Sequence, residues 1–155
     1  MLDQKLTWRP HITAKKTQIN LKLRQMNWLI GRKSKLTIEN KLLLYKAIIK
    51  PIWSYGIQLW GCAKPSNTQI IQRIQSKTLR IVFNAPWYVS NKTLHKDSRI
   101  PFVEDEIIRM TNRYLLNLTG HSNEQVNQLL VPPRGQKKTT PTVAHRFVTI
   151  KDNNY

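Results

Sequence analysis

The residues that decide the fold form one run, IENKLLLYKAIIKPIWSYGIQLWG, at Ile38–Gly61. Apolar residues recur along it at alternating spacings of four and three, which is typical of one buried face of a helix. The pattern continues through Pro51, so we predict a helix that is kinked at the proline and not ended by it. It also predicts that Gly56 lies in the buried face, where another helix can approach closely. The predicted face comprises Ile38, Leu42, Tyr45, Ile49, Ile52, Gly56 and Leu59.

Helical patterns also occupy most of the chain on either side of this run. They predict helices at residues 11–32, 68–83 and 101–119, with a short one ending near residue 130. From Val131 onward the apolar period is lost and prolines and basic residues accumulate, which predicts a mobile basic tail. The predicted fold is therefore all-α, a small bundle of about four to six helices at residues 11–130. The expected tail is residues 131–155.

The charge of the chain is strongly basic and unevenly distributed. The net charge is +18, and 17 of the 26 Lys and Arg residues lie in residues 1–92, where Asp3 and Glu39 are the only acidic residues. Such an excess favours a polyanionic partner, most simply nucleic acid, with an acidic membrane surface as the second possibility. The single cysteine, Cys62, excludes an internal disulfide and is typical of a reducing compartment. With no apolar leader after Met1, we expect an intracellular protein, nuclear and cytoplasmic.

Residue types that could form a catalytic site are few and scattered. Glu104, Asp105 and Glu106 are consecutive, so on a helix they point about 100° apart and cannot chelate one metal ion together. Their expected role is to interact with the positive end of a helix dipole. No histidine stands at zinc-ligand spacing from Cys62, and no glycine-rich phosphate loop is present. The sequence predicts no catalytic residues, no metal site and no cofactor in this chain.

The basic residues of the first 92 positions are the candidate functional residues. Arg73, Lys77 and Arg80 follow one another at spacings of four and three, beside the apolar face of their predicted helix. Such a row can contact phosphates, although an ordinary solvated lysine face is the alternative. The complete predicted nucleic-acid-binding set is Arg73, Lys77, Arg80, Lys15, Lys22, Arg32, Lys33 and Lys35.

Several short segments, taken in order, resemble one protein family. Tyr55–Gly61, with the sequence YGIQLWG, resembles a segment that follows the polymerase core in the reverse transcriptases of jockey-like non-LTR retrotransposons. The resemblance covers about residues 2–119. The other matching segments are Leu2–Asp3, Leu6–Trp8, His11–Ile12, Leu44–Lys46, Lys50–Ile52, Ile71–Lys77, Leu79–Ile81, Ala85–Asn91, Leu94–Asp97 and Ile100–Pro101.

This resemblance implies the thumb and post-thumb region of such a polymerase, a helical module that grips template–primer duplex behind the active site. It implies that residues 1–10 are the end of the palm, and that the catalytic aspartates and their Mg²⁺ belong to a palm located before Met1. The expected partners are an RNA–DNA hybrid or other duplex, together with the palm. We expect a fragment of an RNA-directed DNA polymerase without activity of its own. The alternative is a host-adopted helical module that binds a protein and is not an enzyme.

Overall fold

The computed structural model describes residues 7–118. Every regular element in this part of the chain is helical, which confirms the predicted all-α class. The predicted tail, the end of the predicted domain after residue 118 and the first six residues of the predicted palm remnant lie outside the described residues. The helices are α1 (Arg9–Gln25), α2 (Asn27–Ile30), α3 (Ile38–Leu44), α4 (Lys50–Ser54), α5 (Ile57–Trp60), α6 (Pro65–Val82), α7 (Asn91–Ser98) and α8 (Val103–Leu118), with a π-helical turn (Tyr45–Ile49) between α3 and α4.

The contacts between residues divide the described chain into two units. The first contains residues 7–56 and 63–104, and in it α1 packs along both α6 and α4 while α7 packs on α6. The second contains residues 57–62 and 105–118, which form α5 and most of α8. None of the helices among residues 7–118 combines the length and the apolar character needed to cross a lipid bilayer.

The π-helical turn changes which residues of the central run are buried. Lys41, Tyr45, Ile49 and Trp53 are buried, at a constant spacing of four. A π turn closes with a bond from residue i to i+5, here from the Lys50 N–H to the Tyr45 carbonyl, and takes more residues per turn than an α-helix. Residues four positions apart therefore lie on the same face of the helix through this turn. The predicted buried face is right at Tyr45 and Ile49. It is wrong on both sides of them, where Lys41 is buried in place of Leu42 and Trp53 in place of Ile52.

The central helix ends shortly after the proline and not at Gly61. The chain is helical through Pro51 to Ser54, and the break comes at Tyr55, which is extended. Gly56 follows with φ of 67°, and a Cβ atom added there would have no neighbour within 4 Å. The predicted burial of Gly56 in a helix–helix interface is therefore wrong. Gly56 instead allows a turn with a left-handed backbone, a conformation that costs other residues roughly 1–2 kcal/mol.

The close approach predicted for Gly56 occurs at Gly61, inside the second unit. A Cβ atom at Gly61 would lie 2.7 Å from Cγ2 of Ile107 and 2.6 Å from the Ile57 carbonyl oxygen. In α5 the buried residues are Ile57 and Trp60, whereas the predicted core residue Leu59 is 65% exposed. The segment that carried the family resemblance thus contains one glycine for a turn and another for close packing.

Helix α6 buries one face, much as its sequence predicts. Ile71, Ile74, Thr78 and Val82 are buried, and Lys77 stays exposed beside them. The helix begins at Pro65, three residues before the predicted start, and Lys64 precedes it without a side-chain capping bond. The Asn67 amide instead donates a hydrogen bond of 2.9 Å to the Thr7 carbonyl and ties the start of α6 to the residues before α1.

A polar network joins α6 to α7 and to the start of α8. The Gln72 side chain accepts a 2.8 Å hydrogen bond from the Val103 N–H and lies 3.0 Å from Nε2 of buried His95. Because Nδ1 of His95 faces the Ile100 carbonyl at 2.8 Å, Nδ1 carries a proton and Nε2 accepts from the Gln72 amide. The ring also stacks on Phe102, with 4.0 Å between centroids. This network fixes the segment between α7 and α8 within the first unit.

Candidate nucleic-acid interface

A basic cavity lies between α2, with the turn that follows it, and the C-terminal part of α6, in the first unit. It has a volume of about 900 Å³, and among residues 7–118 no carboxylate lines it. Four of the eight predicted binding residues surround it, together with the exposed indole of Trp28: they are Arg32, Lys33, Lys77 and Arg80. The fold therefore brings together basic residues that are separated by more than 40 positions in the sequence.

A second, smaller cavity extends this basic surface along α1. Its volume is about 350 Å³, and Lys77 contributes to both cavities. On the α1 side it is lined by Asn20 and Arg24. Arg24 was not among the predicted residues. The one feature of the sequence that could have identified it is its position next to Leu23, at the border of the apolar face of α1.

The other four predicted residues line neither cavity. Arg73, Lys22 and Lys35 are exposed. Lys15 is half-buried, and its ammonium lies 5.4 Å from the centroid of the Tyr55 ring, within the range of a cation–π contact. The binding role of all eight residues stays a prediction.

Arg80 supports the loop that follows α6. Its Nη1 donates to the Pro86 carbonyl at 2.6 Å and is 3.5 Å from the Trp87 carbonyl. Its Nη2 donates to the Val89 carbonyl at 2.8 Å and to Oδ1 of Asn91 at 3.0 Å. Three donors of the guanidinium thus make short hydrogen bonds to the chain itself. Arg80 adds positive charge to the cavity, but it has few hydrogen-bond donors left for a ligand.

Arg32 is also partly committed to its own chain. Its Nε donates to Oδ1 of Asn84, a residue with φ of 50° that follows α6. This bond spans the cavity rim, from the residue after α2 to the residues after α6. By contrast, Lys33 and Lys77 are exposed and have no hydrogen-bond or ion-pair partner among residues 7–118.

Lys41 is a basic residue that the fold removes from the surface. Its side chain is only 6% exposed, and its ammonium donates a 3.1 Å hydrogen bond to the Gly31 carbonyl. A cation at this position satisfies a carbonyl at the end of a helix, here α2. No signal in the sequence separates it from the exposed lysines.

The loop held by Arg80 displays two aromatic side chains. Trp87 is 89% exposed and Tyr88 71% exposed, and their rings contact each other edge to face with 6.0 Å between centroids. Neither residue packs into the core, although their size and apolar character would favour burial.

The acidic residues at the start of α8 do not form a metal site. Glu104 and Asp105 are exposed, whereas Glu106 is buried and binds Arg109 at 2.5 Å. This hydrogen bond and the carboxylate charge raise the pKa of Arg109 above its ordinary value. Among residues 7–118, no three His, Cys, Asp or Glu side chains are placed to hold a metal ion.

Comparison with curated proteins identifies relatives over most of the chain. The RNA-directed DNA polymerase of transposon X-element from Drosophila melanogaster is 38% identical over 143 residues, which are 91% of this chain and 16% of that protein. The corresponding polymerase of transposon BS, from the same species, is 39% identical over 83% of this chain and 14% of its own length. That of mobile element jockey from Drosophila funebris is 33% identical over 91% of this chain and 15% of its own length.

The chain is homologous to a segment of these polymerases. The resemblance to the jockey-like family is thereby confirmed, over most of the chain. The chain spans less than one-fifth of the length of each of these relatives. No protein-family model matches the chain, and no solved structure matches it.

Proposed function

We propose that this chain is a thumb-like module of an RNA-directed DNA polymerase that grips template–primer duplex through its phosphates. The observation that carries the proposal is the basic surface shared by the two cavities, where the described residues include Lys33, Lys77 and Arg24 and no carboxylate. An RNA–DNA hybrid or another duplex is the substrate class that such a surface suits, because phosphate contacts carry no sequence information.

The spacing of basic residues along α6 also suits a phosphate backbone. A helix rises 1.5 Å per residue, so Arg73 and Lys77 are about 6 Å apart along the axis. A strand of duplex presents one phosphate about every 3.4 Å of its axis, so both side chains can contact the same backbone. Both residues are exposed, and neither has an ion-pair partner in the described chain.

In this proposal the chain supplies binding and not chemistry. The catalytic aspartates and their Mg²⁺ belong to a palm that the chain contacts as a partner. We propose that the grip requires no metal ion or cofactor of its own. The protein would act where the polymerase meets its template, in the nucleus and cytoplasm.

The test is the salt dependence of binding to a blunt RNA–DNA hybrid, measured with the full chain. Changing Lys33, Arg73 and Lys77 together to Gln should reduce the slope of log affinity against log salt by about two to three. Arg80 is left in place, because replacing it would also release the loop that it supports. A control variant with the same loss of charge replaces three exposed lysines that line neither cavity, and its slope should change less: Lys46, Lys64 and Lys96.

Two results would contradict the proposal. If the control changes the slope as much as the test variant, the binding depends on total charge and not on this surface. If the unaltered chain shows no salt-dependent binding, the protein-interaction module becomes the better hypothesis. Leu21, which is 53% exposed on α1, would then belong to a protein-binding surface.

A further inference from the structure

We propose that the larger cavity holds one unpaired nucleotide of the template or primer, with its base stacked on Trp28 and its phosphate contacted by Lys33 and Lys77. This inference rests on the proposed function and names a specific part of the substrate, a single-stranded end next to the duplex. The features that carry it are an aromatic side chain, free cations and a concave site within one unit of the chain.

Trp28 is exposed, yet its backbone is firmly held. The side chain is 75% exposed, whereas Met26, which precedes α2, and Ile30, which ends it, are buried. Hydrogen bonds from the Ile30 N–H to the Met26 carbonyl and from the Gly31 N–H to the Asn27 carbonyl close the short helix. A tryptophan presented to solvent on a fixed support is suited to stack on a base without a large ordering cost.

The cations around Trp28 differ in whether their hydrogen-bond donors already bind other groups of the chain. Arg80 is bound to the loop after α6, and Nε of Arg32 is bound to Asn84. Lys33 and Lys77 have no such partner in the described part of the chain, so their ammonium groups are available for a phosphate. The guanidinium groups then set the shape and the potential of the site, while the two lysines make the contacts.

The size and the charge of the cavity fit a nucleotide. A volume of about 900 Å³ lies within the usual range of small-molecule sites, about 300–1,000 Å³. In the part of the chain that the structure describes, no acidic residue lines it, which disfavours a cationic ligand. Base stacking tolerates any of the four bases, so the site should show little sequence preference.

The test compares two ligands that differ only in an unpaired end. One is a blunt RNA–DNA hybrid, and the other is the same hybrid with a short single-stranded template overhang. The full chain should bind the overhang ligand more tightly. Trp28→Ala and Trp28→Leu should each weaken binding of the overhang ligand by about 5- to 150-fold and leave the blunt hybrid unchanged, whereas Trp28→Phe should retain part of the preference.

The matched control is Trp87→Ala, because Trp87 is even more exposed but does not line the cavity. It should leave the affinity for both ligands unchanged. The inference is overturned if the Trp28 variants weaken both ligands equally or neither of them. In that case, salt-dependent binding of the blunt hybrid would still support the proposed grip. If the unaltered chain binds neither ligand, both proposals fail.

Discussion

Replacing Arg80 by lysine separates the charge of this residue from its support of the following loop. Lysine keeps the positive charge, but its three donors radiate from one atom and cannot reproduce the planar fork of a guanidinium. In the structure this fork reaches the carbonyls of Pro86 and Val89 and the side chain of Asn91. We therefore expect Arg80→Lys to destabilise the loop while it preserves nucleic-acid binding that depends on charge.

The expected magnitude follows from the hydrogen bonds that are lost. Three bonds lie between 2.6 and 3.0 Å, and the fourth, at 3.5 Å to the Trp87 carbonyl, is too long to count. Lysine can keep one of the three, and each lost bond contributes about 0.5–1.5 kcal/mol net, because the acceptors regain contact with water. The expected loss is therefore about 1–3 kcal/mol. With a urea m value of about 1.5 kcal/mol/M, the midpoint should fall by about 1 M.

Two assays measure this destabilisation, one for the whole domain and one for the loop. Urea unfolding gives the midpoint, and amide hydrogen exchange should show faster exchange at Ala85 and Val89, whose N–H groups bond to Arg80 and Pro86. Arg73→Lys on the exposed face of the same helix is the control, with an expected change within about 0.5 kcal/mol. An unchanged midpoint together with unchanged exchange in Arg80→Lys would refute the bracing role. A flatter salt slope in that variant would show that the fork itself contacts phosphate.

Three further predictions concern stability. Gly61→Ala should lower the free energy of unfolding by about 1–3 kcal/mol in the same urea assay, because its Cβ would overlap neighbouring atoms. Gly56→Asn should lower it by less than about 1 kcal/mol, because Asn tolerates a left-handed backbone. Gln72→Ala should lower the free energy of unfolding by about 2–4 kcal/mol, because it leaves the Val103 N–H and a His95 ring nitrogen without partners. The control, Gln69→Ala at an exposed position, should be nearly neutral, and similar urea midpoints for the two variants would contradict the network. Burial, followed by a neighbouring lysine charge, lowers the pKa of His11 below 6.5, so its contribution to stability is present above pH 6.5 and is lost as the pH falls through the folded-state pKa. His11→Phe should therefore reduce the fall in urea midpoint between pH 7 and pH 5, and an identical fall would contradict this assignment.

The all-α class and the buried face of α6 could be predicted because a 3.6-residue period leaves a direct trace in the sequence. Ile71, Ile74 and Val82 are buried as their spacing indicates. The central run was less predictable, since a π turn adds a residue per turn without changing the composition. Tyr45 and Ile49 are consistent with either geometry, and the shift is revealed by the burial of Lys41 in place of Leu42 and of Trp53 in place of Ile52.

The candidate site was predictable in its chemistry and not in its geometry. The charge excess of residues 1–92 indicates an anionic partner, but no local pattern shows that Arg32 and Lys33 lie across a cavity from Lys77. That arrangement depends on the packing of α1 along α6, which is a tertiary contact. The same packing places the exposed indole of Trp28 among these cations.

The basic residues of this chain perform different tasks, and the difference depends on what their nitrogen atoms already bind. Lys41 and Arg80 use their donors on carbonyls of the chain, so they stabilise α2 and the loop after α6. Lys33 and Lys77 bind nothing in the described residues, and they line one cavity around which that part of the chain places no carboxylate. A polyanion bound to this surface would contact both ammonium groups and release its counterions. The unpaired pair, more than the total charge, is therefore the feature that directs the proposed contact with nucleic acid to this cavity.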